Sequence, residues 1–139
     1  MSVPQSKRGT SKLKVITESR RLAAYTLKIT QSEKNFPKRY RSFVKEEIVT
    51  VATDISKFVY TANSIRVTSE DDFARRRALQ QEALNLTYTL LNNIGIWHIV
   101  NRIEGKRIDY WSGLIMEVQK LIRSWRDADF QRYNSKEQN

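Results

Sequence analysis

Residues 44–65 read VKEEIVTVATDISKFVYTANSI. Val44, Ile48, Val51, Ile55, Phe58, Ala62 and Ile65 step by four and three without a break. Such a sustained heptad predicts one apolar seam on a long helix. Working outward, Pro37 suits the first turn of that helix and ends the one before it, because proline disfavours helix in the preceding residue. The second helix therefore spans about 38–66. Upstream, a first helix is expected over about 12–33, with two apolar sides. Leu13, Ile16, Ala23, Ala24 and Leu27 form one, and Val15, Leu22, Tyr25 and Ile29 the other. Downstream, Ser69 and Asp72 resemble a capping box that opens a third helix over about 70–103. Its stripe is Leu79, Ala83, Leu86, Leu90, Ile94 and Trp97, widened almost all round by Leu84, Tyr88, Leu91, Ile99 and Val100. A helix this apolar is central to its bundle or covered by another subunit. Glu104-Gly105-Lys106 reads as a turn. A fourth helix over about 109–132 carries Trp111, Leu114, Val118, Leu121 and Trp125, flanked by Tyr110, Ile115 and Ile122.

Four long helices with short loops predict an all-α, up-down-up-down four-helix bundle. The expected organisation is a flexible basic arm at 1–11, the bundle at 12–132 and a polar tail at 133–139. Only four Gly and two Pro in 139 residues agree with helices rather than a turn-rich sheet.

The charge is unevenly placed. Residues 1–41 hold 11 Lys and Arg against Glu18 and Glu33, a balance of +9 out of the chain's +10. Residues 42–139 hold 14 against 13. One basic end on a nearly neutral body points to a polyanionic partner, nucleic acid first, with a basic face kept for solubility as the alternative. The candidate binding residues are Lys7, Arg8, Lys12, Lys14, Arg20, Arg21 and Lys28 on the arm and first helix. Lys34, Lys38, Arg39, Arg41 and Lys45 surround the following turn. Lys14, Arg21 and Lys28 recur every seven residues, so they form one longitudinal stripe. Only Lys34 has a nearby acid, Glu33. Uncompensated Lys and Arg contact phosphates and release counterions, which gives affinity without base reading. No helix-turn-helix, zinc finger or aromatic ribonucleoprotein motif is present to read bases.

Catalytic and metal chemistry lack their residues. There is no Cys, and one His, His98. That excludes disulfides, thiolate nucleophiles and multi-histidine metal sites. A Glu-x-x-His motif is missing, since Gly95 stands three residues before His98. Glu46-Glu47 and Glu70-Asp71-Asp72 read as solvated faces rather than a catalytic carboxylate pair. Asp71 with Arg75 and Asp72 with Arg76 are spaced as i, i+4 ion pairs, which cancels the Arg75-Arg76-Arg77 run as a nucleic-acid patch. The tryptophans could stack on unpaired bases, but their heptad positions favour the core. No enzyme activity and no cofactor are expected. No apolar stretch approaches the ~20 residues of a membrane span, and residues 1–10 lack a secretory apolar region. A cytoplasmic location with no membrane partner is the expectation.

Four segments read together carry a family resemblance. They are Leu22-Ala23-Ala24-Tyr25-Thr26-Leu27, then Phe36-Pro37-Lys38-Arg39-Tyr40-Arg41, then Ala62-Asn63-Ser64-Ile65. The fourth is Tyr110-Trp111-Ser112-Gly113-Leu114-Ile115-Met116-Glu117-Val118-Gln119 on to Trp125. Over about 12–130 the chain resembles the bacterial four-helix-bundle superfamily. Within that superfamily it resembles the accessory variability determinant (Avd-like) proteins of diversity-generating retroelements. The resemblance implies a basic homopentamer without a catalytic site. It would bind a reverse transcriptase and RNA, or an RNA–DNA hybrid, during mutagenic retrohoming. Two positions depart from that pattern. The last helix ends Arg123-Ser124-Trp125 where such proteins often have Gly-Gly-Trp or Gly-Ser-Trp, and no basic residue lies between Arg77 and Arg102. Two other readings are a stand-alone RNA-binding bundle and a protein-only helical oligomerisation module.

Overall fold

The computed structural model describes the backbone of residues 5–137 and the side chains of residues 14–134. Four helical runs account for nearly all of it, with no strand among the described residues. The first helix is Gln5–Thr30, the second run covers 38–64, the third is Glu70–Asn101 and the fourth is Gly105–Glu137. Each helix packs on its neighbours in sequence, and the first also packs on the fourth. With connections of only three to seven residues, that closed square of neighbours is the arrangement of an up-down-up-down bundle.

The ends depart from the sequence reading. The first helix starts at Gln5, so it takes in most of the segment expected as an arm, and it stops at Thr30 rather than Glu33. The fourth helix begins at Gly105 and continues to Glu137, through most of the expected tail. Gly105 is thus helical, and the turn lies two residues earlier, at 102–104. There Arg102 sits in the left-handed region (φ 45°, ψ 56°) and donates its N–H to the His98 carbonyl at 2.8 Å. A glycine is the usual occupant of such a helix end. The third helix opens as expected at Ser69, whose side chain accepts from the Asp72 N–H at 3.2 Å. Asp72 reaches one residue further back than a capping box requires and binds the Thr68 N–H and hydroxyl.

The second run is one helix of changing pitch. It starts as a 3₁₀ turn at Lys38–Tyr40, passes through Arg41–Phe43, widens to a π-helix at Val44–Val49 and is regular over Thr50–Ser64. Two carbonyls of the wider turn also accept from side chains. The Thr50 hydroxyl donates to the Lys45 carbonyl at 2.8 Å, and Asn93 of the third helix donates to the Glu47 carbonyl at 2.7 Å.

Val44, Ile48, Val51, Ile55 and Ala62 of the quoted stretch are buried, joined by Val59, while Phe58 and Ile65 are half-buried. On the fourth helix the buried seam runs Trp111, Ile115, Val118, Ile122, Trp125 and Asp129. Leu114 and Leu121, expected on it, are half-buried. On the first helix Val15, Ser19, Leu22, Thr26 and Ile29 face inward, and Leu27 of the other apolar side is exposed. The three tryptophans are core residues, which removes them as base-stacking platforms. Trp111 donates to the Thr26 hydroxyl at 3.0 Å, and that hydroxyl donates to the Leu22 carbonyl at 2.8 Å. A large buried ring with its N–H satisfied stabilises the core without a desolvation penalty.

Candidate nucleic-acid interface

The connection 31–37 is anchored from below, and this decides how the basic residues after it are presented. Phe36 is buried and stacks on Trp97, with ring centres 5.1 Å apart and planes 6° from parallel. The Asn35 carbonyl accepts from Trp97 Nε1 at 3.1 Å and from Asn101 Nδ2. Tyr40 meets the same indole edge-on at 5.3 Å. The turn therefore rests on the end of the third helix, and the helix start that follows it has little freedom to swing.

Lys38, Arg41 and Lys45 lie at i, i+3 and i+7, the spacing of one helical face. They line a cleft of about 390 Å³ together with the end of the first helix. Its apolar part is Phe36, Pro37, Val44 and Val49. Thr30, Gln31 and Glu33 form the opposite rim. The π-helical segment thus supplies one wall, and such segments occur often at functional sites. Among the described residues no carboxylate lies within ion-pair distance of Arg41 or Lys45. Lys38 pairs with Glu33 at 3.3 Å, both side chains about 70% exposed. The expected partner of Glu33 was Lys34; the pairing runs across the turn instead, because Lys34 lies outside the cleft and Lys38 faces it.

The other basic candidates are scattered. Lys14, Arg21 and Lys28 are exposed on the first helix as one stripe. Lys14 approaches Glu117 at 3.7 Å and Arg21 approaches Glu18 at 3.6 Å, so two of the three are partly compensated. Lys28 has no acid near it, and it lies in the last turn of its helix, where a cation also complements the dipole. Arg20 lies over the Tyr60 ring at 5.3 Å and Arg39 over Tyr40 at 5.1 Å. Lys34 is exposed without an ion pair. Lys7, Arg8 and Lys12 fall outside the residues whose side chains are described.

No family model, no curated protein and no solved structure matches the chain. Among the described residues no group of three His, Asp or Glu could hold a metal ion. No helix among them is long and apolar enough to cross a membrane.

The arginine run at 75–77 behaves otherwise than its spacing suggests. Arg75 approaches Asp72 at 3.7 Å, not Asp71. Arg76 turns inward and is 3% exposed. It binds Asp129 of the fourth helix through two hydrogen bonds, Nε to Oδ2 at 2.7 Å and Nη2 to Oδ1 at 3.1 Å. Gln80 adds a third at 2.8 Å, and the guanidinium lies over Trp125 at 5.1 Å. Both Arg76 and Asp129 are lost to solvent and to any ligand. Sequence spacing missed this pair because its members are 53 residues apart.

Proposed function

We propose that the chain is a non-enzymatic nucleic-acid-binding bundle that holds phosphates at the end carrying the 31–37 turn. The observation behind this is the cleft faced by Lys38, Arg41 and Lys45, of which only Lys38 has a carboxylate partner. Cations held unpaired on an anchored wall favour a polyanion without selecting its sequence. The family resemblance makes the proposal finer: an accessory subunit of a diversity-generating retroelement, partnering its reverse transcriptase and the template RNA or an RNA–DNA hybrid.

Exposed Tyr88, Ile96, Ile99 and Val100 on the third helix supply the reason to include a protein partner, itself or the polymerase. Ile99 is 80% exposed, and an apolar row of this kind is the common mark of a protein interface. A homo-oligomer, with five subunits the number the resemblance implies, is part of the proposal.

Filter binding to RNA across a salt series tests the polyanion reading. Binding that weakens log-linearly with salt supports it. No binding at low salt would leave the protein-only oligomerisation module. Co-purification with a reverse transcriptase encoded beside the gene separates the accessory role from a stand-alone RNA-binding bundle. Sedimentation equilibrium that gives a 16.4 kDa species would remove the homo-oligomer.

A further inference from the structure

We propose that the cleft is a seat for the phosphates of an unpaired nucleic-acid strand, and that the Glu33 carboxylate occupies part of that seat when it is empty. The inference rests on the nucleic-acid reading above and adds which strand is taken and what competes with it.

Three features carry it. First, the basic row lines a cleft rather than an open face. At about 390 Å³ the cleft has the size of a small-ligand pocket. The phosphates of a duplex lie on a convex rod that meets only the rim of such a space, whereas a flexible single strand can enter. From Lys38 to Lys45 the row extends roughly 10–12 Å at helical rise, the reach of a short run of phosphates rather than of one. Second, the floor offers nothing for base stacking. Phe36 is 5% exposed, and its ring is already stacked on Trp97. The wall residues Val44 and Val49 are aliphatic. What the cleft can hold is backbone, so it tolerates any sequence. Third, Glu33 is the one acid on the lining, and its carboxylate sits 3.3 Å from Lys38 Nζ. A carboxylate oxygen at a lysine ammonium takes the position a phosphate oxygen would take. Entry of a strand must displace it, so Glu33 lowers affinity and limits capture to ligands that bring several phosphates together.

The experiment is fluorescence-anisotropy titration of a labelled single-stranded RNA oligonucleotide, and of the blunt duplex of the same sequence, across a salt series. The proteins are the full chain, Glu33→Gln, Glu33→Gln with Lys38→Gln, and Glu82→Gln. Glu82 is exposed on the third helix and away from the cleft, and its change alters net charge equally. Glu33→Gln is expected to tighten single-strand binding about two- to five-fold, the range of an exposed ion pair. It should also steepen the log–log salt slope by about 0.7, one further phosphate contact on a single strand. Adding Lys38→Gln should return the slope to the wild-type value, and Glu82→Gln should change neither quantity. Equal tightening by Glu82→Gln would make net charge the cause and overturn the seat. So would a gain on the duplex as large as on the single strand, or an unchanged Glu33→Gln variant of a wild type that binds; in both cases nucleic-acid binding itself survives. If the wild type binds neither RNA at low salt, the functional reading falls together with the seat.

Discussion

Arginine does opposite work at the two ends of this bundle. At the end with the 65–69 connection, Arg76 is buried, doubly hydrogen-bonded to Asp129 and roofed by Trp125. It also reaches the Ile65 carbonyl at 3.4 Å, so it ties the third helix, the fourth helix and the connection together. At the end with the 31–37 connection, Arg41 is exposed, lines a cleft and has no carboxylate beside it. A formal charge in the sequence says nothing about which of these it will be. The distinction lies in whether an acid from a distant helix arrives at hydrogen-bonding distance in a place without water. Where it does, charge specifies how helices meet; where it does not, charge is left for a partner.

The comparison breaks most severely if Asp129 is changed to Ala. That leaves the Arg76 guanidinium buried without its counter-ion, and the expected loss is about 3–5 kcal/mol, read as a lower urea midpoint. Replacing both, Arg76→Met with Asp129→Leu, should recover most of the loss, since a buried pair replaced by apolar side chains of similar volume is often neutral. A small effect of Asp129→Ala alone would mean that water reaches the Arg76 guanidinium at this end.

Next in size is the opposite end. Lys38→Glu, Arg41→Glu and Lys45→Glu together should weaken single-stranded RNA binding roughly 25-fold at 0.1 M salt, the Arg41 and Lys45 contacts at about 0.7 slope units each, since Glu33 already holds Lys38. Reversal of Lys14, Arg21 and Lys28 should cost less, because Glu117 and Glu18 already offset two of them. The matched control is Arg66→Glu, Arg75→Glu and Arg77→Glu, three exposed cations at or next to the far connection. Arg76 cannot serve in a control, because reversing it would unfold rather than discharge the surface. If the control weakened binding as much as the cleft variant, the surface would be undifferentiated.

These two ends also mark how far the sequence could be read. The four helices, Pro37 at the start of the second and Ser69 at the start of the third were legible, because periodicity and capping are local. The fourth seam was misplaced by one residue, onto Leu114 and Leu121 instead of Ile115 and Ile122. All four are apolar, and only packing against the first and third helices chooses between the faces. The row Lys38, Arg41, Lys45 was legible as spacing, but the cleft was not. It needs the end of the first helix and the π-helical turn opposite each other, and no local signal announced the π-helical turn. The Arg76–Asp129 pair was hidden by a nearer decoy, Asp72.

A smaller effect is expected at the third helix's C-terminal end. Arg102 adopts φ 45°, a conformation that costs a residue with a Cβ about 1–2 kcal/mol and glycine almost nothing. Arg102→Gly should therefore raise stability by about 1 kcal/mol, after the greater unfolded-state freedom of glycine is deducted. Thermal unfolding would show it as a higher midpoint. A lower midpoint would mean that the Arg102 side chain contributes more than its backbone costs.

The smallest expected effect belongs to the same third helix at its other end. The Thr68 hydroxyl and then the Thr68 N–H bind the Asp72 carboxylate and hold its pKa below the ordinary carboxylate range, with Arg75 assisting. A carboxyl with a depressed folded-state pKa stabilises the fold above its unfolded value, near 3.9. That contribution is lost as pH falls through the lower, folded value. Asp72→Asn should therefore lower the urea midpoint slightly at pH 7 and leave it unchanged in acid below the folded value, where the native carboxyl is protonated too. Ser69→Ala removes the hydroxyl that accepts from the Asp72 N–H and should cost about 1 kcal/mol in both conditions, since a hydroxyl does not titrate there. An Asp72→Asn loss that persisted undiminished as pH fell, with no narrowing at any acid pH, would show that the side chain caps by shape and not by charge.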